Sequence, residues 1–542
     1  EQQIIEIAKA VSKNVKIFDT NGIELEDYKL SYIWPNTIEL NEPDDATIDL
    51  PQTSKLFDEF SFLFDLNRTH YELMFKIEMD PLSVRVLKLI LTDSVQPKRL
   101  AKVQFYHHEL IEDDIIKLNA NLNKILGDDE KNQVSVENMQ KFRDSFRLDL
   151  DASTYATFSL TSGLLNSIVV NGSKPISLNM SLQKYEVKRG GAYIFLPQGN
   201  PVHLDYKRQF KWLRVEDGGD LRKRICVNLT ILLNCVEFQP RIDRDKGLKY
   251  PLVSIWNLVD LRNSRNTELI MSFDTSIQNG ADFYSDLNGF QYIKRIRRQE
   301  LPIQGNVYPM PSGSFIQDTR LRLSLLSAQP LGVSSLANSN LHVFLDRRLD
   351  QDDNKALSEA PNDNRQAYSR FRLRVADVVD NEEMVAGTKR NFPSIHSQIV
   401  SFDLLNPIIK LHAMRADLKV TSLDFSVNFP CSLRLINLRT LQERDDRPSP
   451  NERGLILHRL VSDDCPQPMI QVPSYLKASC SMPTSFTFRD LLHFYLRSHS
   501  NLILIRTALN LRANEERPSN INLNQAVFNQ IDTMSIQAFK IL

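Results

Sequence analysis

The sequence predicts an all-β protein, and three observations carry that prediction. Short runs of alternating apolar and polar residues recur along the chain, the period-two mark of strands with one buried face. Turns rich in Asn, Asp, Gly and Pro separate these runs. No long helical period stands between them, which disfavours alternating βα units. The chain has 542 residues, enough for about three units of ordinary domain size. Their expected spans are 1–110, a small β-sandwich, 111–400, a large β unit, and 401–542, a second β-sandwich.

In the first unit, Val15–Asp19, Thr20-Asn21-Gly22 and Ile23–Leu25 read as a hairpin, because Asn-Gly is a strong type I′ turn signal. Ile4, Ile5, Ile7, Ala8 and Val11 fit a helix face or a strand equally well. Tyr71–Thr92 alternates through Leu73, Phe75 and Ile77, then Val84, Val86 and Ile90. Leu110–Val134 is polar and Asn-rich and predicts a linker or a short helix.

In the middle unit, Ile176–Val187, Ala192–Leu196, Ile225–Phe238, Glu268–Thr275, Leu321–Leu326 and Phe371–Val379 read as strands. Gly190-Gly191 reads as a turn feeding one of them. Leu341–Asp350 alternates Leu341, Val343, Leu345 and Leu349 with His342, Phe344, Asp346, Arg348 and Asp350. That pattern puts the leucines on one face and Arg348 on the other, with Arg347 in the leucine register. The strand then enters a charged loop, Asp350–Lys355. Such a strand end is either a rigid polar rim for a hydroxyl-rich ligand or neighbouring domain, or a solvated end with local ion pairs.

In the last unit, Lys419–Leu441 alternates through Leu423, Phe425, Val427, Phe429, Leu433, Leu435 and Leu438. Glu443–Arg453 reads as a loop by composition. Leu455–Val461, Leu502–Leu511 and Ser535–Leu542 complete the sandwich.

Composition narrows the function. Sixty-six Lys and Arg against 67 Asp and Glu leave a net charge of -1, which gives no pull towards nucleic acid or an anionic membrane. No run of eighteen apolar residues exists, so no transmembrane helix and no direct membrane insertion are expected. Neither G-x-G-x-x-G nor G-x-x-x-x-G-K-[ST] occurs, which disfavours dinucleotide and P-loop functions. The five cysteines form no zinc spacing. Cys465 and Cys480 flank a Pro-rich loop and suit a disulfide in an oxidising compartment, whereas Cys226 and Cys235 read as core residues. Sequons stand at Asn67, Asn171, Asn179 and Asn228, about as many as chance allows in so Asn-, Ser- and Thr-rich a chain. The chain begins with Glu rather than Met, so an incomplete or processed product is expected.

No self-contained active site emerges. His107 and His108 are adjacent, and neighbours on a strand point to opposite faces, so they do not chelate one ion together. No G-x-S-x-G elbow is present. Asp352-Asp353 and Asp445-Asp446 read as solvated loop carboxylates.

Several long motifs carry more than periodicity. FYSDLNGFQ (Phe283–Gln291), NVYPMPSG (Asn306–Gly313), QPLGVSSL (Gln329–Leu336) and LDRRLDQDDN (Leu345–Asn354), in that order, resemble the C-terminal half of the Golgi α-mannosidase II group of glycoside hydrolase family 38. GAYIFLPQG (Gly191–Gly199), SLDFSVNFPCSLRLINLRTLQ (Ser422–Gln442) and the terminal SIQAFKIL fit the same group, as does the start of the chain. The resemblance covers essentially the whole chain. It implies a galactose-mutarotase-like β-supersandwich for 111–400 and a retaining α-mannosidase acting on mannose-containing N-glycans in the Golgi lumen. It places the nucleophile and the zinc ligands in an N-terminal catalytic domain that this chain does not match. Zinc is thus implied for the full-length enzyme and no metal site for this chain, whose partners would be the glycan and that domain, with no nucleic acid. Tyr193, in GAYIFLP, matches a tyrosine that reaches the mannose. Arg348 matches an arginine on the mannose hydroxyls. A core tyrosine and a surface ion pair are the respective alternatives. The family pattern continues Asp-Asp-Asn with Arg-Gly, whereas Asn354 is followed by Lys355-Ala356, so the loop is expected to sit differently. Residues 41–67 read as an insertion. A stand-alone, non-catalytic β-sandwich protein that binds glycan or a partner protein is the alternative function.

Overall fold

The computed structural model describes residues 2–11, 15–19, 21–26, 28–32, 71–78, 84–91, 100–126, 130–239, 251–363, 365–378, 393–411, 433–442, 448–460, 486–492, 503–511, 520–525, 527, 531 and 535–542. Among these residues the strands form six sheets and the helices are few, so the fold is all-β as expected. The Cys465–Cys480 pairing, the insertion at 41–67 and Asn67 lie outside the described residues.

Two large sheets face each other. The centre of an eleven-stranded sheet runs through Ala367–Asp377, Val253–Val259, Leu232–Phe238, Lys223–Leu229, Phe210–Asp217 and Lys102–His107, with Val134–Asn138 added in parallel at one edge. The centre of a nine-stranded sheet is Asn340–Arg348, Thr267–Thr275 and Ile176–Glu186. Alternation decides what lies between them. Leu213, Val215, Ile225, Val227, Val236 and Phe238 from the first pack with Leu178, Leu182, Leu269, Met271, Phe273, Leu341 and Val343 from the second. Each such side chain contributes roughly 1.5–3 kcal/mol of burial.

The other face of the eleven-stranded sheet carries Trp212, Cys226, Leu233, Cys235 and Trp256, and it meets Ile17, Leu30, Leu73 and Phe75 from the N-terminal strands. Leu118 and Leu122 of the helix Glu112–Leu126 join this second core. That helix settles the linker-or-helix alternative, and Glu112, Asp113 and Asp114 stand at the positive end of its dipole. Gln2–Val11 is a strand paired with Tyr71–Glu78. Val15–Phe18 pairs with Lys88–Leu91 and also closes the expected hairpin, through an antiparallel bridge between Phe18 and Glu24 and the Leu25 amide donating to the Ile17 carbonyl at 2.9 Å. The Asn-Gly turn is made, and Asp19 Oδ1 accepts from the amides of Asn21 and Ile23.

Cys226 and Cys235 stand opposite each other on neighbouring antiparallel strands and form a disulfide. The sequence predicts core residues at both positions. They are buried, and they are also bonded, because strand pairing makes neighbours of them.

A buried ionic cluster lies where the N-terminal sheet meets the eleven-stranded sheet. Arg222 pairs with Glu72 at 2.7 Å and with Glu216 at 3.3 Å. Arg214 pairs with Glu216 at 2.8 Å, and Arg224 with Glu237 at 3.1 Å. Burial alone would raise the Glu216 carboxyl, but Arg214, Arg224 and Arg222 outweigh it and hold the group below the usual carboxylate range.

The C-terminal sheet has five strands over a core of Leu455, Leu457, Phe488, Leu504 and Phe539. Its strand Pro448–Arg459 begins inside the stretch that composition marks as a loop. Cross-strand pairing with Leu433–Gln442 overrides composition there.

Candidate functional site

The geometry of the expected rim depends on one irregularity. Asn340–Arg348 pairs with Thr267–Thr275 so that Phe344 faces Ile270 and Asp346 faces Leu269. Leu345 is the extra residue of a β-bulge, and a bulge resets the parity of every residue beyond it. Leu341, Val343 and Leu345 point into the core between the large sheets. Leu349 instead joins Tyr185, Val187 and Ile270 on the opposite face. Arg347 lies opposite Glu268 on that outer face, and Arg348 lies opposite Thr267 on the side of Leu345. The faces expected for the two arginines are therefore exchanged.

The outer face supports a short ribbon, Arg189–Gly190 paired with Phe195–Leu196. Its tip is 191–194. Phe195 packs against Tyr185 and Phe344, with ring centroids 5.2 Å away in both cases. Gly190 has φ +97°, and a Cβ there would stand 2.4 Å from the Ile194 carbonyl oxygen. Only glycine permits so tight a tip.

The tip is held through its backbone. The amides of Tyr193 and Ile194 donate to Asp353 Oδ2 at 2.7 and 2.8 Å. Arg347 donates to the carbonyls of Ala192 at 3.4 Å and Ile194 at 3.5 Å. The same guanidinium forms an ion pair with Glu268 at 2.5 Å. Burial pushes the Glu268 carboxyl up to about 7, against the opposing pull of Arg347. Burial likewise raises Asp346, to about 6.

Tyr193 is 65% exposed, so it is not a core tyrosine. Arg348 is half-buried, and its Nη1 donates to the Asn362 carbonyl at 3.4 Å. The structure thus gathers Arg347, Asp353 and Glu268 around the Tyr193 tip, while Arg348 bonds the chain at Asn362. The sequence pattern predicts a solvated loop carboxylate at Asp353, and the structure instead turns it onto the tip. The available signal was Gly190-Gly191, which marks a tip that another chain segment approaches closely.

In the loop after Asn354, Ala356 has φ +81°. Alanine occupies the place where the family pattern has glycine, and it keeps a left-handed conformation.

The motifs FYSDLNGFQ and NVYPMPSG meet at Asp286, which is fully buried. Its Oδ1 accepts from the amides of Ser312 and Gly313, both at 2.9 Å. Its Oδ2 accepts from the Gly289 amide at 2.6 Å and the Ser312 hydroxyl at 2.7 Å. These motif residues close two turns against each other, a structural task.

Among the described residues, no three His, Cys, Asp or Glu side chains group to hold a metal ion. His107 Nδ1 accepts from the Glu109 amide at 3.0 Å. The crevice lined by Ile168, Ile176, Pro251, Val253, Leu373 and Val375 is apolar and offers no group to bind hydroxyls. No helix among the described residues is long and apolar enough to cross a membrane. Of the sequons, Asn171 and Asn179 are exposed and Asn228 is half-buried.

Residues 154–355, which include the Tyr193 tip, both arginines and Asp353, match the C-terminal domain of glycosyl hydrolases family 38. The chain is 32% identical to human alpha-mannosidase 2 over 404 residues, 73% of this chain and 33% of that one. It is 37% identical to alpha-mannosidase 2 of Drosophila melanogaster over 249 residues, 44% of this chain and 21% of that one. It spans about a third of the length of the first curated relatives it matches. A crystal structure of a family 38 protein from Enterococcus faecalis aligns over 100% of this chain and 56% of its own, at 9% identity and a TM-score of 0.49.

Proposed function

From the family 38 C-terminal domain that the chain carries, homologous to that of alpha-mannosidase 2, we propose that this protein is the C-terminal part of a retaining α-mannosidase that processes mannose-containing N-glycans in the Golgi lumen. The family match over 154–355 is the observation that carries the reading. In this reading the rim around Tyr193 faces a catalytic domain and completes its sugar pocket. Tyr193 and Arg348 are the proposed sugar-facing side chains. The exposure of Tyr193 supports its part. The motif match alone supports that of Arg348, since strand pairing puts its side chain on the side of Leu345, across the strand from the Tyr193 tip. The Cys226–Cys235 disulfide supports an oxidising compartment.

A retaining glycosidase needs a nucleophile and an acid/base at a fixed separation across the sugar. We assign neither to this chain. The described residues do not fit a zinc site, so no step through zinc is derived for them, and the zinc implied by the family is assigned to the catalytic domain. The chain's own residues bind and orient: a phenol on a pinned tip, and guanidinium groups that suit hydroxyl-rich ligands.

The test is the size and activity of the native gene product, detected with an antibody raised against Glu443–Arg453. A product well above 62.5 kDa that co-purifies with zinc-dependent α-mannosidase activity supports the reading. A product at 62.5 kDa that binds glycans or a partner without hydrolysis replaces it with the non-catalytic alternative.

A further inference from the structure

We propose that Asp353 is a positioning residue, whose carboxylate locks the 191–194 tip so that Tyr193 is presented to the ligand in one fixed place; the ligand half of this rests on the function proposed above.

Tyr193 stands on a turn, and an isolated turn places a side chain loosely. Here both kinds of backbone group on the tip meet an ionic partner. Asp353 Oδ2 takes two successive amides, those of Tyr193 and Ile194. Arg347 takes the carbonyls of Ala192 and Ile194. Charged partners make the stronger class of hydrogen bond. The contacts leave the Tyr193 ring itself exposed, so they fix its backbone without consuming its surface.

Two further observations tie the tip to the 350–354 loop. A Cβ on Gly191 would stand 2.4 Å from the Asp353 amide nitrogen and 2.8 Å from its Cβ and Cγ. The loop and the tip approach so closely that only glycine fits between them. Gln351 Nε2 also donates to the Val187 carbonyl at 3.1 Å, which anchors the same loop two residues before Asp353. The Asp353 carboxylate is therefore set by its own loop and is not a mobile surface group. Its Oδ1 is buried and takes no hydrogen bond from a described residue. Oδ2 alone does the holding, and an Asn oxygen has the geometry to replace it.

The experiment has two parts. Amide exchange at Tyr193 and Ile194 is measured in this chain as wild type, D353N, D353A and G191A. D353A and G191A should accelerate exchange at these two amides at least tenfold, and D353N by less. Should D353A fail to fold, the isosteric D353N still reads the lock. Unchanged exchange in D353A and G191A would overturn the positioning role.

The second part measures α-mannosidase kinetics of the native gene product carrying D353A, Y193F or both. The expected result is a kcat/KM lowered about 10- to 100-fold by D353A, with little further loss from D353A in the Y193F background. Equal losses in both backgrounds would mean that Asp353 does not act through Tyr193. Accelerated exchange with wild-type kinetics for both D353A and Y193F would leave the lock standing and overturn the placing of Tyr193 at the ligand.

Discussion

Glu268 and Arg347 stand opposite each other on adjacent strands, 2.5 Å apart, and Glu268 is only 4% exposed. The pair exists because Leu345 is a bulge residue. Without the bulge, Arg347 would share the side of Leu345 and Glu268 would face another residue. The guanidinium that pairs with Glu268 also holds the Tyr193 tip. The protonation of a buried carboxyl is thereby coupled to the rim.

That coupling sets a pH dependence of stability. Burial raises folded Glu268 to about 7 from the ordinary glutamate value of 4.5. Between those values the folded chain holds a proton that the unfolded chain has released, so this group's contribution to stability falls as pH rises through the window. It is fully present below about 4.5 and lost above about 7. Asp346, raised to about 6, acts in the same direction over a lower range. E268Q should therefore gain on wild type by roughly 1–3 kcal/mol between pH 4.5 and 7. Denaturant unfolding of both proteins across that range is the check, and a constant difference between them would contradict it.

Ala356 holds φ +81° in the loop beyond Asn354. An L side chain is strained there by about 1–2 kcal/mol, and glycine is not. A356G should stabilise the chain by about 1 kcal/mol or slightly less, after the greater chain entropy of glycine when unfolded is counted. A lower unfolding midpoint in urea for A356G would show that the alanine side chain makes a compensating contact.

Asp286 accepts four hydrogen bonds inside the fold. D286A leaves those donors buried without an acceptor, and each such group costs about 1–3 kcal/mol. A loss of at least about 3 kcal/mol is expected by chemical denaturation. A loss under 1 kcal/mol would show that water replaces the carboxylate.

Glu72 and Arg222 join the N-terminal sheet to the eleven-stranded sheet at 2.7 Å. Removing Glu72 leaves Arg222 paired with Glu216 at 3.3 Å, so the cost is that of a lost charged hydrogen bond, about 1.5–3 kcal/mol. E72A should be destabilised by that order. E72A/R222M should recover part of the loss, because Glu216 keeps Arg214 and Arg224 nearby. Simple additivity in this double-mutant cycle would mean that the two residues are not energetically coupled.

Arg348→Ala tests the sugar-facing assignment in the native gene product. Loss of a charged hydrogen bond to the ligand should lower kcat/KM by about 1–3 kcal/mol of transition-state binding. An unchanged value, with the fold intact by circular dichroism, would remove Arg348 from the site.

Fold class and motifs are readable from the order of residues alone. Alternation through Leu341, Val343 and Leu345, or through Leu213 and Val215, states that a strand has two unlike faces, and that statement needs no tertiary partner. Tyr193 and Arg348 are proposed as sugar-facing because GAYIFLP and LDRRL resemble the family's motifs. Parity and adjacency came from the packing of strands against one another. Period two cannot say where a bulge will shift the count, so the sides of Arg347 and Arg348 followed only from pairing with Thr267–Thr275. Nor can it say which distant segments meet. Asp353 lies 160 residues from Tyr193, and even Cys226 and Cys235, at a separation of 9, become partners only through the register of their two strands. Local chemistry is written in the order of residues, but the partner of a buried charge is chosen by packing between elements far apart in the chain.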